Sequence, residues 1–79
     1  MNNTNTDYGL NEVEFAIFCI ENVATALNKD AVVTYDVLKN SGILHEYIFE
    51  CYDVLHTQGK EYIVNDIIEL MKRKGVEIC

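Results

Sequence analysis

Apolar residues recur three and four positions apart through most of this 79-residue sequence, and that spacing constrains the fold more than any other feature. Because an α-helix repeats every 3.6 residues, side chains at this spacing share one helical face. The longest set is Val13, Ala16, Ile17, Ile20, Val23, Ala24 and Leu27. The sequence has no proline to interrupt a helix. We therefore predict an all-α fold, a single compact bundle of about four helices joined by short turns.

Capping residues set the expected boundaries of the first two helices. Asn11 has the character of an N-cap and predicts a first helix over residues 12–28. Thr34 is expected to cap a short second helix, and Gly42 would end that helix in a left-handed conformation. Residues 31–33, between the two helices, are predicted to be extended.

The remaining two helices fill the second half of the chain. The third is predicted from residue 43 or 44 to residue 56, before the glycine at position 59. The fourth is predicted over residues 61–74, with basic side chains at the negative end of its dipole. Gly75 supplies a left-handed residue, and Val76 would complete a Schellman closure. The tail over residues 76–78 is predicted to be extended.

These four helices are expected to enclose one hydrophobic core. Phe15, Phe18 and Cys19 widen the apolar arc of the first helix, so we place this helix at the centre of the bundle or give it a second buried face. Ten apolar residues are predicted in the core: Ile17, Ile20, Val23, Leu27, Leu38, Ile48, Leu55, Ile63, Ile67 and Leu70.

The length allows one domain, and the leader and the apolar runs indicate the cellular location of the protein. We predict a flexible leader over residues 1–9 and a single helical domain over residues 10–79. The leader lacks the basic and apolar stretches of a secretory signal. No apolar run approaches the roughly 18–20 residues that a membrane span requires. We therefore expect a cytoplasmic protein that does not enter a membrane.

The charge distribution disfavours nucleic acid as a partner. Residues 1–71 carry 12 acids and 3 bases, and the whole chain has a net charge of −7. Half of the basic residues lie in the run from Lys72 to Lys74. A surface of this sign repels phosphate backbones, and a nucleic-acid binder needs Lys and Arg gathered on one face. The acidity fits either simple solubility or an electropositive protein partner.

The residue types that perform catalysis or bind metals do not form a recognisable pattern. Cys19, Cys51 and Cys79 are odd in number and show no CxxC spacing, so we expect reduced thiols, two of them in the core. His45, Cys51 and His56 would not share one helical face, whereas zinc requires three or four converging ligands. The glycines are single and do not form a phosphate loop. We predict no metal, no cofactor and no enzymatic activity.

Histidines and aromatic rings do gather on one face of the predicted third helix. His45, Phe49, Tyr52 and His56 follow one another at spacings of four, three and four residues. Gln58 and Tyr62 would extend this face, and the set of six is the predicted partner-binding site: His45, Phe49, Tyr52, His56, Gln58 and Tyr62. The alternative is purely structural, with His56 bonding free carbonyls at the helix end and the tyrosines burying their rings.

One segment has the outline of a helix-turn-helix. Residues 34–47 place Gly42 in a short turn between two predicted helices. The would-be recognition helix carries His45, Glu46 and Glu50 but neither Lys nor Arg to reach bases or phosphates. A transcriptional DNA binder is therefore the alternative function, and a tight helical corner explains the turn better.

The chain also resembles a family of small bacterial proteins, domain of unknown function 3791. The similarity covers nearly the whole chain from about Val13 to Gly75, and its most specific part is the run Tyr52–Gly59. The other residues that carry it are Phe18, Cys19, Ile20, Glu21, Tyr35, Leu38, Gly42, Tyr47, Ile48, Tyr62, Ile63, Asp66 and Ile67.

This resemblance implies a cytoplasmic protein of gut-type bacteria whose gene lies near genes for proteins resembling ADP-ribosyltransferases. An antitoxin-like or accessory role would follow from such a neighbour. Together with the aromatic face, it makes a non-catalytic protein–protein interaction module the expected function. A homodimer through the same face is the other arrangement that we expect, because so short a chain gains stability by covering apolar surface.

Overall fold

The computed structural model describes residues 10–76, which form five helical segments and no strand. The segments are α1 (Leu10–Leu27), α2 (Ala31–Asn40), the π-helix π1 (Leu44–Phe49), α3 (Tyr52–Leu55) and α4 (Lys60–Arg73). The predicted all-α fold is confirmed. There are five segments instead of four because the expected third helix divides in two. The predicted leader over residues 1–9 and the last residues of the predicted extended tail lie outside the described residues.

Helix α1 is the central element of the bundle, since α2, π1 and α4 all pack against it. Its inward face is lined by Ala16, Cys19, Ile20 and Val23. Ile17 was predicted in the core and is 49% exposed instead. The apolar arc of α1 is wider than the surface its neighbours cover, so periodicity alone does not reveal which edge of the arc faces the solvent.

The core is otherwise close to the prediction. Of the ten expected residues, Leu27 and Leu70 are partly buried and seven are buried: Ile20, Val23, Leu38, Ile48, Leu55, Ile63 and Ile67. Met71, which helical spacing also predicts to face inward, is buried, and Ile43 and Val64 are further buried members that the prediction omitted.

The start of α1 differs from the prediction. The helix already includes Leu10, so Asn11 lies inside the first turn and is exposed. An N-cap residue needs an extended backbone, which a residue with helical neighbours on both sides does not have. Asn11 is therefore not the cap.

The end of α1 is a Schellman closure around Asn28. Asn28 has a positive φ of 57°, its amide donates to the Thr25 carbonyl at 3.1 Å, and the Lys29 amide donates to the Ala24 carbonyl at 2.8 Å. Glycine adopts this left-handed backbone without the steric penalty that a Cβ imposes.

We expect Asn28→Gly to raise the free energy of unfolding by about 0.5–1 kcal/mol, because it relieves the left-handed strain at this position. Urea denaturation followed by circular dichroism measures the change. The matched control is Asn40→Gly in the last turn of α2, where the backbone is helical and glycine should destabilise the fold. Two changes of the same sign would contradict this account of the closure.

Helix α2 begins four residues earlier than predicted. Asp30 is its N-cap, and one carboxylate oxygen accepts hydrogen bonds from the amides of Val32 (2.9 Å) and Val33 (3.2 Å). Residues 31–33, predicted to be extended, are the first turn of the helix. Thr34, the predicted cap, is fully buried, and its hydroxyl donates to the Asp30 carbonyl at 2.8 Å. Asp is at least as good a cap as Thr, and a cap at residue 30 lets Thr34 face the core.

The predicted third helix is interrupted by π1. The Glu50 amide donates to the His45 carbonyl five residues before it, at 3.3 Å, which is the hydrogen bond of a π-helix. Ile43 and Ile48, five residues apart, are both fully buried. A wider turn brings residues at this spacing onto one face, whereas an α-helix would rotate them apart. Cys51 follows π1 in an irregular turn and is half-buried, not in the core as predicted.

The end of α4 agrees with the prediction. The helix ends at Arg73, and Gly75 has a positive φ of 71°. The Val76 amide donates to the Met71 carbonyl at 2.9 Å, and the Val76 side chain packs against the core. Gly42, which was predicted to end α2, also has a left-handed backbone, with a φ of 89°.

Cys19 is the more deeply buried of the two described thiols and has no exposed surface. Burial raises the pKa of this thiol from its ordinary value of 9.0 to about 12, because the thiolate would lose its hydration. Cys19 is therefore a packing residue of α1, in agreement with the expectation of a reduced core thiol.

Candidate functional site

An open groove with a volume of about 380 Å³ lies between α1 and the segment that contains α3. Its wall on the α1 side includes Phe15 and Phe18, and its opposite wall includes Tyr52, His56 and Gln58. We call these five residues the aromatic groove. Three further residues line it: Asn11, Glu14 and Ile63.

Four rings form a continuous row across the aromatic groove. Phe18 stacks on Phe15 with centroids 6.2 Å apart, and Phe15 meets Tyr52 edge to face at 5.4 Å. Tyr52 then stacks on His56 at 4.5 Å with the ring planes 11° apart. Phe15 and Tyr52, in the middle of the row, are half-buried, whereas Phe18 and His56, at its ends, are exposed. The row thus joins two helices and still presents ring surface to the solvent.

The run Tyr52–Gly59 has clear local roles in the structure. The Nδ1 atom of His56 lies 2.7 Å from the Tyr52 carbonyl, and the Thr57 hydroxyl donates to the Val54 carbonyl at 2.7 Å. Both bonds add a side-chain donor to carbonyls that also accept backbone amides, those of His56 at 3.0 Å and Thr57 at 3.4 Å, where α3 ends. Gly59 is the N-cap of α4. The structural alternative for His56 therefore holds only in part: its ring bonds a carbonyl of α3, but that carbonyl also accepts the His56 amide, and the ring remains exposed.

Three of the six predicted site residues meet at the aromatic groove, and the other three do not line it. His45 is exposed, with its Nε2 atom 3.9 Å from a Glu50 carboxylate oxygen. Phe49 is partly buried against the core. Tyr62 is 57% exposed and lines a separate shallow groove with residues of α4. The spacing of four, three and four assumed a continuous α-helix, and π1 changes the rotation of His45 and Phe49 relative to Tyr52.

Phe15 and Phe18 are the groove residues that the sequence-based site omitted. Their signal was present in the widened apolar arc of α1, which was assigned to burial. The structure divides that arc, because its inward side reaches the core and Phe18, at 39% exposure, reaches the groove. Sequence alone could not pair these rings with Tyr52, which lies more than thirty positions further along the chain.

The polar groups of the residues that line the aromatic groove are one carboxylate, two amides, the Tyr52 hydroxyl and the His56 ring. Glu14 is the one charged residue among those that line it, and neither Lys nor Arg is among them. The Tyr47 hydroxyl donates to the Asp66 carboxylate and ties π1 to α4. That bond lies outside the groove, since neither residue lines it.

A second apolar groove lies between α1 and α2. It is lined mainly by Ile17, Ile20, Val32 and Tyr35, of which Val32 is 67% exposed. The Lys39 ammonium lies 5.8 Å from the centroid of the Tyr35 ring. This groove has little polar surface and no row of stacked rings.

Within residues 10–76, no three His, Cys, Asp or Glu side chains are grouped so that they could hold a metal ion. In the same part of the chain, no helix combines the length and apolar character needed to cross a bilayer.

Comparison with known proteins adds one finding. No curated protein and no solved structure matches the chain. A family model described as "Protein of unknown function (DUF3791)" matches residues 14–74, which is most of the sequence and includes every residue of the aromatic groove.

Proposed function

The chain belongs to the DUF3791 family of proteins of unknown function. We propose that it is a non-catalytic protein–protein interaction module whose partner binds in the aromatic groove. The observation that carries the proposal is the row of four rings, half-buried in the middle and exposed at both ends. Aromatic side chains provide large contact area at low entropic cost, and they dominate the centres of protein interfaces.

The groove supports a binding role better than a catalytic one. Its histidine already uses one ring nitrogen to bond the Tyr52 carbonyl, and no Ser, Thr, Cys or Lys lies among the lining residues. We propose that the protein acts in the cytoplasm as an antitoxin-like or accessory partner. A neighbouring-gene protein resembling an ADP-ribosyltransferase is the first candidate for that partner.

The alternative function, a transcriptional DNA binder, has weaker support. The segment that would enter the major groove is π1, and its exposed side chains include His45 and Glu46 but no Lys or Arg. With a net charge of −7, the chain as a whole would be repelled by DNA. Homodimerisation remains part of the proposal, as an alternative occupant of the aromatic groove.

The test is a pull-down from the source organism, followed by calorimetric titration of each identified protein after purification. Phe18→Ala and His56→Ala remove the exposed ends of the ring row and should weaken binding at least about fivefold each, as expected for interface centres. The candidate ADP-ribosyltransferase-like protein is titrated in the same series. Melting curves of the free variants check that both remain folded.

The control variant is Val54→Ala, which truncates a 63% exposed side chain of α3 that does not line the groove. It should bind like the wild type. The proposal fails if the groove variants bind every purified partner as tightly as the wild type does. It also fails if the chain binds promoter DNA specifically, in the presence of competitor and with salt dependence, because that result would favour the alternative.

A further inference from the structure

We propose that the aromatic groove binds an arginine side chain from a basic segment of the partner protein, with the guanidinium stacked on the ring row and paired with Glu14. This inference rests on the proposed function and names the chemistry of the partner. It requires that the groove provide ring faces, a negative charge and hydrogen-bond acceptors, and that it contain no competing cation.

The ring row provides the stacking surface. The face of an aromatic ring carries negative electrostatic potential, so cations bind above it. Phe18 is 39% exposed and His56 is exposed, so ring surface is accessible at both ends of the row. Arginine is preferred to lysine here because a planar guanidinium stacks on rings and is more weakly hydrated than an ammonium.

The polar residues of the groove match the donors of a guanidinium. Glu14 is exposed on α1 and provides a carboxylate, which can accept two N–H bonds from arginine. Asn11 and Gln58 add amide oxygens. Because the Tyr52 carbonyl can only accept, Nδ1 of His56 carries the proton in their 2.7 Å bond.

The charge of the chain favours the same partner. No Lys or Arg lines the groove, and the net charge of −7 attracts basic segments over a longer range. An acidic or phosphorylated partner would meet Glu14 without a compensating base. The second apolar groove, between α1 and α2, lacks this combination of a ring row and an uncompensated carboxylate next to it.

The test is a titration of the full chain with N-acetyl-arginine amide as the probe, in which two-dimensional NMR spectra record the chemical-shift changes. N-acetyl-lysine amide and N-acetyl-norleucine amide are the matched probes, and the ionic strength is held constant. We expect saturable shifts at Phe18, Tyr52, His56 and Gln58, with the arginine probe binding tightest. Glu14→Gln should weaken its binding about two- to fivefold, which is the range for an exposed ion pair.

Glu21→Gln is the control variant, since Glu21 is exposed on the same helix and lines the α1–α2 groove instead. It should leave the affinity of the probe unchanged. The inference is overturned if norleucine binds as well as arginine, if Glu14→Gln has no effect, or if shifts map elsewhere. In each of these cases a partner that loses affinity in the Phe18→Ala variant would still support the proposed function.

A second copy of the chain is the competing source of an arginine, because Arg73 lies in a basic run at the end of α4. Light scattering of the wild type and of Arg73→Gln separates the two sources. A monomer at all concentrations agrees with a foreign partner. A dimer that Arg73→Gln dissociates would overturn the inference in favour of self-association.

Discussion

Ile67→Ala is expected to lower the free energy of unfolding by about 2–5 kcal/mol, the cost of truncating a fully enclosed aliphatic side chain. Ile67 has no exposed surface and belongs to the core cluster that α4 shares with α1 and π1. A domain of this size is stable by only about 4–12 kcal/mol, at roughly 0.05–0.15 kcal/mol per residue. The variant should therefore be partly unfolded at moderate temperature. Urea denaturation followed by far-ultraviolet circular dichroism measures the loss.

Ile17→Ala is the matched control, since it deletes the same atoms from a residue that is 49% exposed. Its cost should stay below about 1 kcal/mol, because little apolar area leaves contact and no enclosed cavity forms. Equal losses in the two variants would mean that Ile17 is buried in solution, either within the chain or against another copy.

Stability should also fall as the pH rises above 9, and Cys19 is the cause. The folded protein holds the thiol proton up to about pH 12, whereas the unfolded chain releases it near the ordinary pKa of 9.0. Between these values the folded state binds more protons than the unfolded state. The contribution of Cys19 is therefore complete below pH 9 and is lost progressively at about 1.4 kcal/mol per pH unit.

Urea denaturation of the wild type and of Cys19→Ala between pH 8 and pH 11 tests this expectation. The variant loses some packing at every pH but has no thiol to ionise, so the stability difference between the two proteins should shrink as the pH rises. All other groups are common to both proteins, so their contributions cancel from the difference. Parallel curves would show that the thiol is hydrated in the folded state.

The parts of the fold that the sequence predicted well depend on local signals. The end of α4 is an example, because glycine at position 75 and a valine directly after it are enough to form the closure. Most of the core was predicted for a similar reason, since helical spacing selects a face without knowledge of the neighbours. Ile17 shows the limit of this reasoning, because exposure at the edge of an arc depends on what packs there.

The predicted start of α2 is wrong because two residues compete as N-caps. Both Asp30 and Thr34 have suitable side chains, and they are one helical turn apart. The choice depends on whether Thr34 is buried, and that is decided by packing against other elements. The structure buries it and gives its hydroxyl an acceptor in the preceding turn.

The candidate site could be predicted only in part. Tyr52, His56 and Gln58 follow one another closely in the sequence and meet at the groove as a local group. The contribution of Phe15 and Phe18 depends on how α3 lies against α1, which no local signal specifies. The grouping of His45 and Phe49 with Tyr52 assumed uniform α-helical rotation, and the burial of both Ile43 and Ile48 opposes it.

The π-helix has a consequence for how insertions and deletions would act on this chain. A regular α-helix rotates by about 100° per residue, so one extra residue in an α-helix turns everything after it by that angle. The five-residue hydrogen bond of π1 accommodates such a residue locally, and Tyr52 keeps its contact with the edge of Phe15 at a centroid distance of 5.4 Å. Removing one residue from π1 is therefore expected to give a regular α-helix and to leave the second wall of the groove in place.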